Sequence, residues 1–543
     1  MAGTIIERPP RVSRVAGGAR LPVVVLGALT VVVWLALARL AWAFLTEELD
    51  WRYVAEQSRI DTPWPYRLAG VWAGMEGSLL LFVGIAGAVG CIATRRAGPV
   101  ARWAALITVG VLAAVNVVLA SPFERLGVPA VRGFGMNPIL EHPAMTVHPP
   151  MLYAGMASAF GAALVAADGR AWPGARRWHL ATVGLLTLAM TLGAAWSYVE
   201  QGWGGYWAWD PVENTSLLVW FGALIALHAG PVAGPRAAVA TALAPWCLAV
   251  LGAILVRSGI TPSIHGFAEQ PSVGWALLAL ALATTAGASA VVGRTARAGG
   301  PPAEAGDPRL VTVVLVAAAA LVVLVGTVLP VLSEVFGQRS SAVRGEFYSR
   351  TVGPLALVAV PFVAMRLRRR RSWSTAAHAG ALVLIAGVGV STFDRVESVP
   401  IAAGTTVEAA GLDVLNDGVE VGPGPQEGTD AVTASLRVDG HALRPALVVH
   451  PARGGRLAEV ALRTGVFTDV QALLESAADD GGVIVTIHVR HGMWLVWLGA
   501  ATVAVATIAP AARRRGGTRS RWPRSEFPTG SMGTRAGVQR KSS

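Results

Sequence analysis

Between Gly202 and Trp220 the chain reads GWGGYWAWDPVENTSLLVW, which sets Trp203, Tyr206, Trp207 and Trp209 beside the carboxylates of Asp210 and Glu213. A folded core seldom takes so many indoles in so short a stretch, because each buried ring N–H needs an acceptor. An exposed aromatic platform for a flat ligand suits the composition better. The glycines at 202, 204 and 205 let the loop turn tightly and bring its backbone close to such a ligand. The other reading of the rings is an aromatic belt at a water–lipid boundary. For the carboxylates the structural reading comes first. Asp210, Pro211, Val212 and Glu213 form the N-cap, N1, N2 and N3 of a capping box that opens a helix running through Ser216 to Leu227.

Two histidines flank this loop, His148 in TVHPPMLY and His265 in SGITPSIHGF. Two neutral imidazoles with an aromatic bed could hold a haem, whose iron commonly takes axial histidine; two unrelated loop histidines are the alternative. A second pair, His228 and His378, falls inside apolar runs, each about six residues from the end on one side. At 1.5 Å per residue both are roughly 9 Å deep. Equal depth on two helices is what a bis-histidine haem b requires, and an ionisable residue inside a membrane is a functional candidate. A satisfied core histidine is the plainer account of either one alone. Arg257 could meet a haem propionate through charge-assisted hydrogen bonds or snorkel to the interface.

The elements that must position these residues follow from hydropathy. The 543 residues are 53% hydrophobic and only 14% charged, with a mean hydropathy of +0.53, which is too apolar for a soluble chain. Windows long enough to cross the hydrocarbon layer fall at about 21–45, 79–95, 101–120, 151–168, 178–197 and 216–234. Six more follow at about 238–256, 273–293, 309–332, 352–366, 373–393 and 493–511. The expectation is an all-α polytopic membrane protein of about 12 transmembrane helices. Its arginine-rich start leads straight into the first apolar run and reads as an anchor rather than a cleaved signal.

With Arg8, Arg11, Arg14 and Arg20 inside, the basic clusters all land on one side: Arg95 and Arg96, Arg176 and Arg177, Arg236, Arg294 and Arg297, Arg366 to Arg371, and the tail from Arg513. This is positive-inside topology, so the pI of about 10.8 does not imply a nucleic-acid partner. The tryptophan loop then faces outward. So does the segment 394–492, where Val432 to Val438, Ala446 to Val449 and Val483 to Val489 alternate like short strands.

The expected organisation is a helical core at 1–393 with its tryptophan-rich region at about 135–270 and a small β-rich extracytoplasmic domain at 394–492. The last helix occupies 493–511, and a disordered basic cytoplasmic tail 512–543. His441, His450, His488 and His491 in the β-rich part read as surface residues. Cys91 and Cys247 stand far apart with no Cys-x-x-Cys or Cys-x-x-Cys-His, so the chain neither exchanges disulfides nor carries its own covalent haem by that motif.

WGGYWAWDPVEN resembles the tryptophan-rich "WWD" signature of haem-handling proteins of cytochrome c biogenesis. WAGMEGSLLLF (72–82), SPFERL (121–126), GMNPILEHPAMTVHPPMLY (135–153), LGAAWSYVEQGWGG (192–205), ILVRSGITPSIHGFAE (254–269) and AAHAGALVLIAGVGV (376–390) are similar, in that order, to the F-type haem lyases, CcmF and NrfE. The likeness spans about residues 25–511. It implies outer-face haem ligands at His148 and His265, a haem platform at Trp203, Trp207 and Trp209 with Asp210, and a transmembrane haem b at His228 and His378. It also implies partners: apocytochrome c with its CxxCH motif, a haem chaperone with covalent haem, and thioreduction and apocytochrome-holding subunits. The place is the bacterial cytoplasmic membrane. Three departures stand out: Tyr206 replaces a tryptophan, Met75 replaces a histidine, and the N-terminus lacks one helix of the longer relatives.

The expected activity is that of a haem lyase. Haem is the substrate at the outer face, and two cysteine thiols of apocytochrome c add across its vinyl groups to form thioethers. Such addition needs positioning more than acid–base groups, and the inner haem b, with quinol as its electron source, would keep the outer iron ferrous. A haem transporter would want a polar path through the spans; a quinol-linked b-type electron carrier would not need the outer tryptophan loop.

Overall fold

The structure is a computed structural model that describes residues 20–168, 174–200, 205–259, 263, 270–295, 307–336, 343–368, 372–425, 428–450 and 455–513. Trp203, His265, Arg8, Arg11, Arg14, Arg297, Arg369 to Arg371 and the tail beyond Arg513 lie outside the described residues.

Helices α1 (Leu21–Leu45), α4 (Met75–Thr94), α5 (Pro99–Leu119), α6 (Pro143–Ala167), α7 (Arg176–Glu200) and α8 (Pro211–Ala229) form the first half of the bundle. The short helices α2 (Arg52–Gln57) and α3 (Trp64–Gly70) follow α1; α3 packs on α1 and α6, and the Arg52 N–H donates to Glu124 O at 2.9 Å. The second half holds α9 (Pro235–Arg257), α10 (Pro271–Thr295), α11 (Pro308–Val335), α12 (Gly345–Met365), α13 (Trp373–Val390) and α14 (Met493–Ala512). Among the described residues 12 helices are long and apolar enough to cross a membrane, as expected.

Boundaries differ where a cap, not apolarity, sets the start. α6 begins at Pro143, because the His142 ring accepts the N–H of Ala144 at 3.1 Å and Pro143 supplies a preset N1. His148 therefore stands on the second turn of a helix rather than in a loop. α8 ends at Ala229, just before the Gly230–Pro231 turn.

Helices with little polar surface meet through small residues. At the α13–α14 crossing, a Cβ built on Gly380 would lie 2.9 Å from Gly499 O, so the two backbones touch.

Among the described residues ten strands precede α14, as expected for a β-rich segment there. β1 (Arg395–Ile401), β8 (Ala461–Arg463), β9 (Thr468–Ala477) and β10 (Val483–His491) form an antiparallel sheet in the order β1-β10-β9-β8. A second sheet runs β2 (Thr406–Ala409), β3 (Leu412–Pro423), β4 (Asp430–Val438), β6 (Ala446–His450) and β7 (Gly455–Glu459), with β5 (His441–Leu443) paired to β4. Val414 and Leu436 of one sheet share a core with Leu474, Val485 and Ile487 of the other. His488 departs from the expected surface placement. β10 is a central strand covered on both faces, which leaves this ring 6% exposed. His441 is exposed as expected, and the side chain of His450 lies outside the described residues.

The sheets are tied to the tryptophan-loop end of the bundle. The Tyr198 hydroxyl at the end of α7 donates to Asp469 Oδ2 at 2.9 Å, and Gln471 Nε2 donates to Tyr198 O at 2.7 Å.

Candidate functional site

The loop before α8 is set by its carboxylates. Asp210 accepts the Val212 N–H at 3.0 Å, while Glu213 reaches back to the N–H groups of Ala208 (2.9 Å) and Asp210 (3.2 Å), completing the capping box. Asp210 does more than cap. The Ser263 hydroxyl donates to its Oδ2 at 2.7 Å, fastening the segment after α9, two residues before His265, to the tryptophan loop.

The described rings of this loop do not share one exposed platform; each is half-buried and turned its own way. Tyr206 donates to or accepts from Ser391 Oγ at 3.3 Å and packs edge-on against Trp497 of α14. Burial there pushes its hydroxyl pKa up. Trp209 takes a left-handed backbone (φ 57°), stacks on Tyr348 of α12 at 5.0 Å and 13°, and gives its N–H to Ser349 at 3.1 Å. Buried rings with a polar edge seek partners for it, and these two find theirs in different segments, Ser391 after α13 and Ser349 in α12. Trp207, edge-on to Trp209 at 6.0 Å, borders a cavity.

Two neighbouring cavities meet at His148. The smaller, about 50 Å³, is lined by His148, Gly193, Trp196, Trp207, Glu213 and Ser216 among others. The larger, about 210 Å³, reaches between α4, α6, α9 and α10, and His148 and Trp196 line it too. His148 Nδ1 lies 2.8 Å from Ala189 O. A carbonyl only accepts, so Nδ1 carries the proton and the ring's lone pair is on Nε2, the tautomer that suits a metal ligand. The buried N–H groups of Trp196 and Trp207 have no partner among the described residues.

Sequence reasoning missed His142 and Trp196, which stack at 6.0 Å and 5°. His142 is a helix cap with its other nitrogen 3.7 Å from Glu200, and burial holds its pKa below the ordinary histidine value. Its signal was present in the His-Pro pair, which reads as N-cap and N1.

His228 and His378 come together. Their ring centroids are 6.1 Å apart at 77°, although His228 is in the last turn of α8, not six residues from its end. Each Nδ1 is tied to the carbonyl one turn back, Leu224 O at 2.8 Å and Ser374 O at 2.6 Å. This puts both lone pairs on Nε2. With a metal–nitrogen distance of about 2.0 Å and about 1.1 Å from that nitrogen to the ring centre, imidazoles on opposite sides of one metal have centroids about 6 Å apart. The 6.1 Å separation of the two rings matches that spacing.

Arg257 does not snorkel outward. Its guanidinium turns into the larger cavity, onto Met75, Ser78 and Tyr153.

A family model described as "Cytochrome C assembly protein" matches residues 171–261. The cytochrome c-type biogenesis protein ccl1 of Rhodobacter capsulatus is 31% identical over 87% of this chain and 88% of its own length. The probable cytochrome c-type biogenesis protein NrfE of Escherichia coli is 30% identical over 86% of this chain and 90% of its own. CcmF of E. coli is 28% identical over 86% and 88%. Among solved structures, the cytochrome c haem lyase CcmF is similar in fold with a TM-score of 0.69, at 21% identity, covering 90% of this chain and 91% of that one. With 30% identity or more to relatives covered over nearly their whole length, this chain belongs to the CcmF/NrfE family of cytochrome c-type biogenesis proteins.

Proposed function

We infer that this protein is a multi-pass haem lyase of the bacterial cytoplasmic membrane. It holds haem at the outer face and joins it to the CxxCH motif of apocytochrome c. The observation that carries this reading is His148, locked through Nδ1 to Ala189 O and set in the wall of an apolar cavity that Trp196 borders as well. His265 would supply the second ligand to the substrate iron, and Trp203 and Trp207 would form its aromatic platform, as the family resemblance implies. Tyr206, Trp209 and Asp210 hold the loop in shape. In the reaction each cysteine sulfur bonds the vinyl carbon next to the ring and the thiol proton ends on the outer vinyl carbon, so the addition is redox-neutral and releases nothing. The protein contributes position and orientation.

His228 and His378 would hold a resident haem b, which would supply one-electron chemistry to keep the substrate iron ferrous. These residues fix ring orientation through their backbone hydrogen bonds. A haem chaperone with covalent haem, and thioreduction and apocytochrome-holding subunits, are the partners such a reaction calls for, with quinol as electron source.

The test is single alanine substitution of His148, His265, His228 and His378 in cells making a reporter cytochrome c. Each should abolish mature cytochrome c, with haem lost from the outer site in the first two variants and from the inner site in the last two. Normal cytochrome c in all four ends the reading.

A further inference from the structure

Arg257 is the one charged side chain among the described residues lining the larger cavity, whose walls are otherwise mostly apolar, among them Phe82, Leu112, Leu152, Trp246, Val250 and Leu280. Its guanidinium has neutral company only. Nη1 donates to Met75 Sδ at 2.7 Å and Ser78 Oγ at 3.3 Å; Nη2 donates to Ser78 Oγ at 3.3 Å and Tyr153 Oη at 3.5 Å. A thioether is a weak acceptor, and neither hydroxyl carries charge. No described carboxylate pairs with it, whereas the arginines of the outer loops are neutralised, Arg52 by Glu124 and Arg125 by Asp50. A cation turned into apolar surroundings costs several kcal/mol without a counter-ion. Met75 sharpens the point, because this position presents sulfur and not a second titratable group to the guanidinium.

The same cavity carries His148, five residues before Tyr153 on α6 and so about 7.5 Å from it along the helix. A porphyrin with two side-chain carboxylates on one edge spans a comparable distance from iron to carboxylate. We propose that Arg257 binds the propionate carboxylates of the haem whose iron His148 ligates, orienting the porphyrin with its propionate edge toward the last turn of α9. The vinyl side lies across the ring from the propionates, so this anchor turns the reacting carbons away from α9. It thereby decides which edge meets the incoming thiols. The planar fork of the guanidinium suits a carboxylate in a way a lysine ammonium does not. The proposal rests on the outer-haem reading above.

The experiment uses the purified full chain in detergent, titrated with ferric protoporphyrin IX and separately with its dimethyl ester, followed by tryptophan quenching and the Soret band. The free acid should bind roughly tenfold tighter than the ester. R257Q should bind both as weakly as wild type binds the ester, and R257K should recover only part of the difference. Equal binding of acid and ester by wild type, which needs no variant to fold, overturns the proposal, as does undiminished discrimination by R257Q. Loss of discrimination on doping the micelles with phosphatidylglycerol assigns the guanidinium to lipid phosphate and also overturns it. If neither porphyrin binds wild type, the outer-haem reading itself falls.

Discussion

His148 lies against Gly193: a Cβ built at residue 193 would stand 2.7 Å from His148 Cε1. α6 and α7 can approach there only because that position has no side chain. The same approach brings Ala189 O, one turn earlier, to Nδ1. Gly193→Ala should displace the ring and weaken porphyrin binding at the outer site roughly tenfold, about 1.4 kcal/mol, with the inner haem spectrum unchanged. A porphyrin titration identical to wild type would show that the ring position does not depend on this contact.

The inner pair makes a different demand. Because both Nδ1 atoms are occupied by carbonyls of their own helices, each lone pair is already on Nε2 and ligation needs no change of tautomer. His378→Met should still ligate, now as histidine and methionine, and raise the reduction potential of the bound haem, since that ligation favours the reduced iron. A redox titration of the purified variant reads this directly. An unshifted potential with full haem content would remove His378 from the ligand set.

How much of this was legible depended on the physics behind each signal. The spans were legible because each needs about 20 apolar residues with few charges. Helix ends were less so, since hydropathy runs on past the Gly230–Pro231 turn; His228 was therefore assigned the wrong depth even though it meets His378. Three strands alternated clearly. β1 carries Pro400, and β9 is covered on both faces at Val470 to Ala472, so neither shows the period of two. Asp210 and Glu213 were readable as a cap because that chemistry is local. The divergence of Tyr206 and Trp209 was not, because Ser391, Trp497 and Tyr348 come from distant helices.

That divergence separates structural rings from binding ones. Trp209→Ala loses the Tyr348 stack and the Ser349 bond and should cost about 2 kcal/mol of stability, with porphyrin affinity little changed. Trp207→Ala strands no acceptor, since its N–H has no described partner; it should be milder for stability and weaken porphyrin binding several-fold. Thermal unfolding and porphyrin titration of both variants check the pair, and the reverse ranking would return Trp209 to the binding surface.

His488 gives the sheets a pH dependence of predictable sign. The ring is buried, and its Nδ1 accepts from Arg490 Nη2 at 3.1 Å. Burial and then the Arg490 charge lower its pKa to about 4, with Glu475 opposing. Arg490 is in turn paired with Asp394 at 3.2 Å. The folded state keeps this histidine neutral, while the unfolded chain takes up a proton near pH 6.5. Its contribution is therefore complete above about pH 6.5 and is lost progressively as the pH falls toward 4, on the order of 2 kcal/mol. Arg490 also lies 3.7 Å from the Cβ position of Gly205, so loosening there reaches the tryptophan loop. His488→Gln should flatten the fall in melting temperature between pH 6.5 and 4.5 relative to wild type, with the carboxylates common to both cancelling in the difference. Parallel melting curves across that range would mean the proton is taken up equally by folded and unfolded chains.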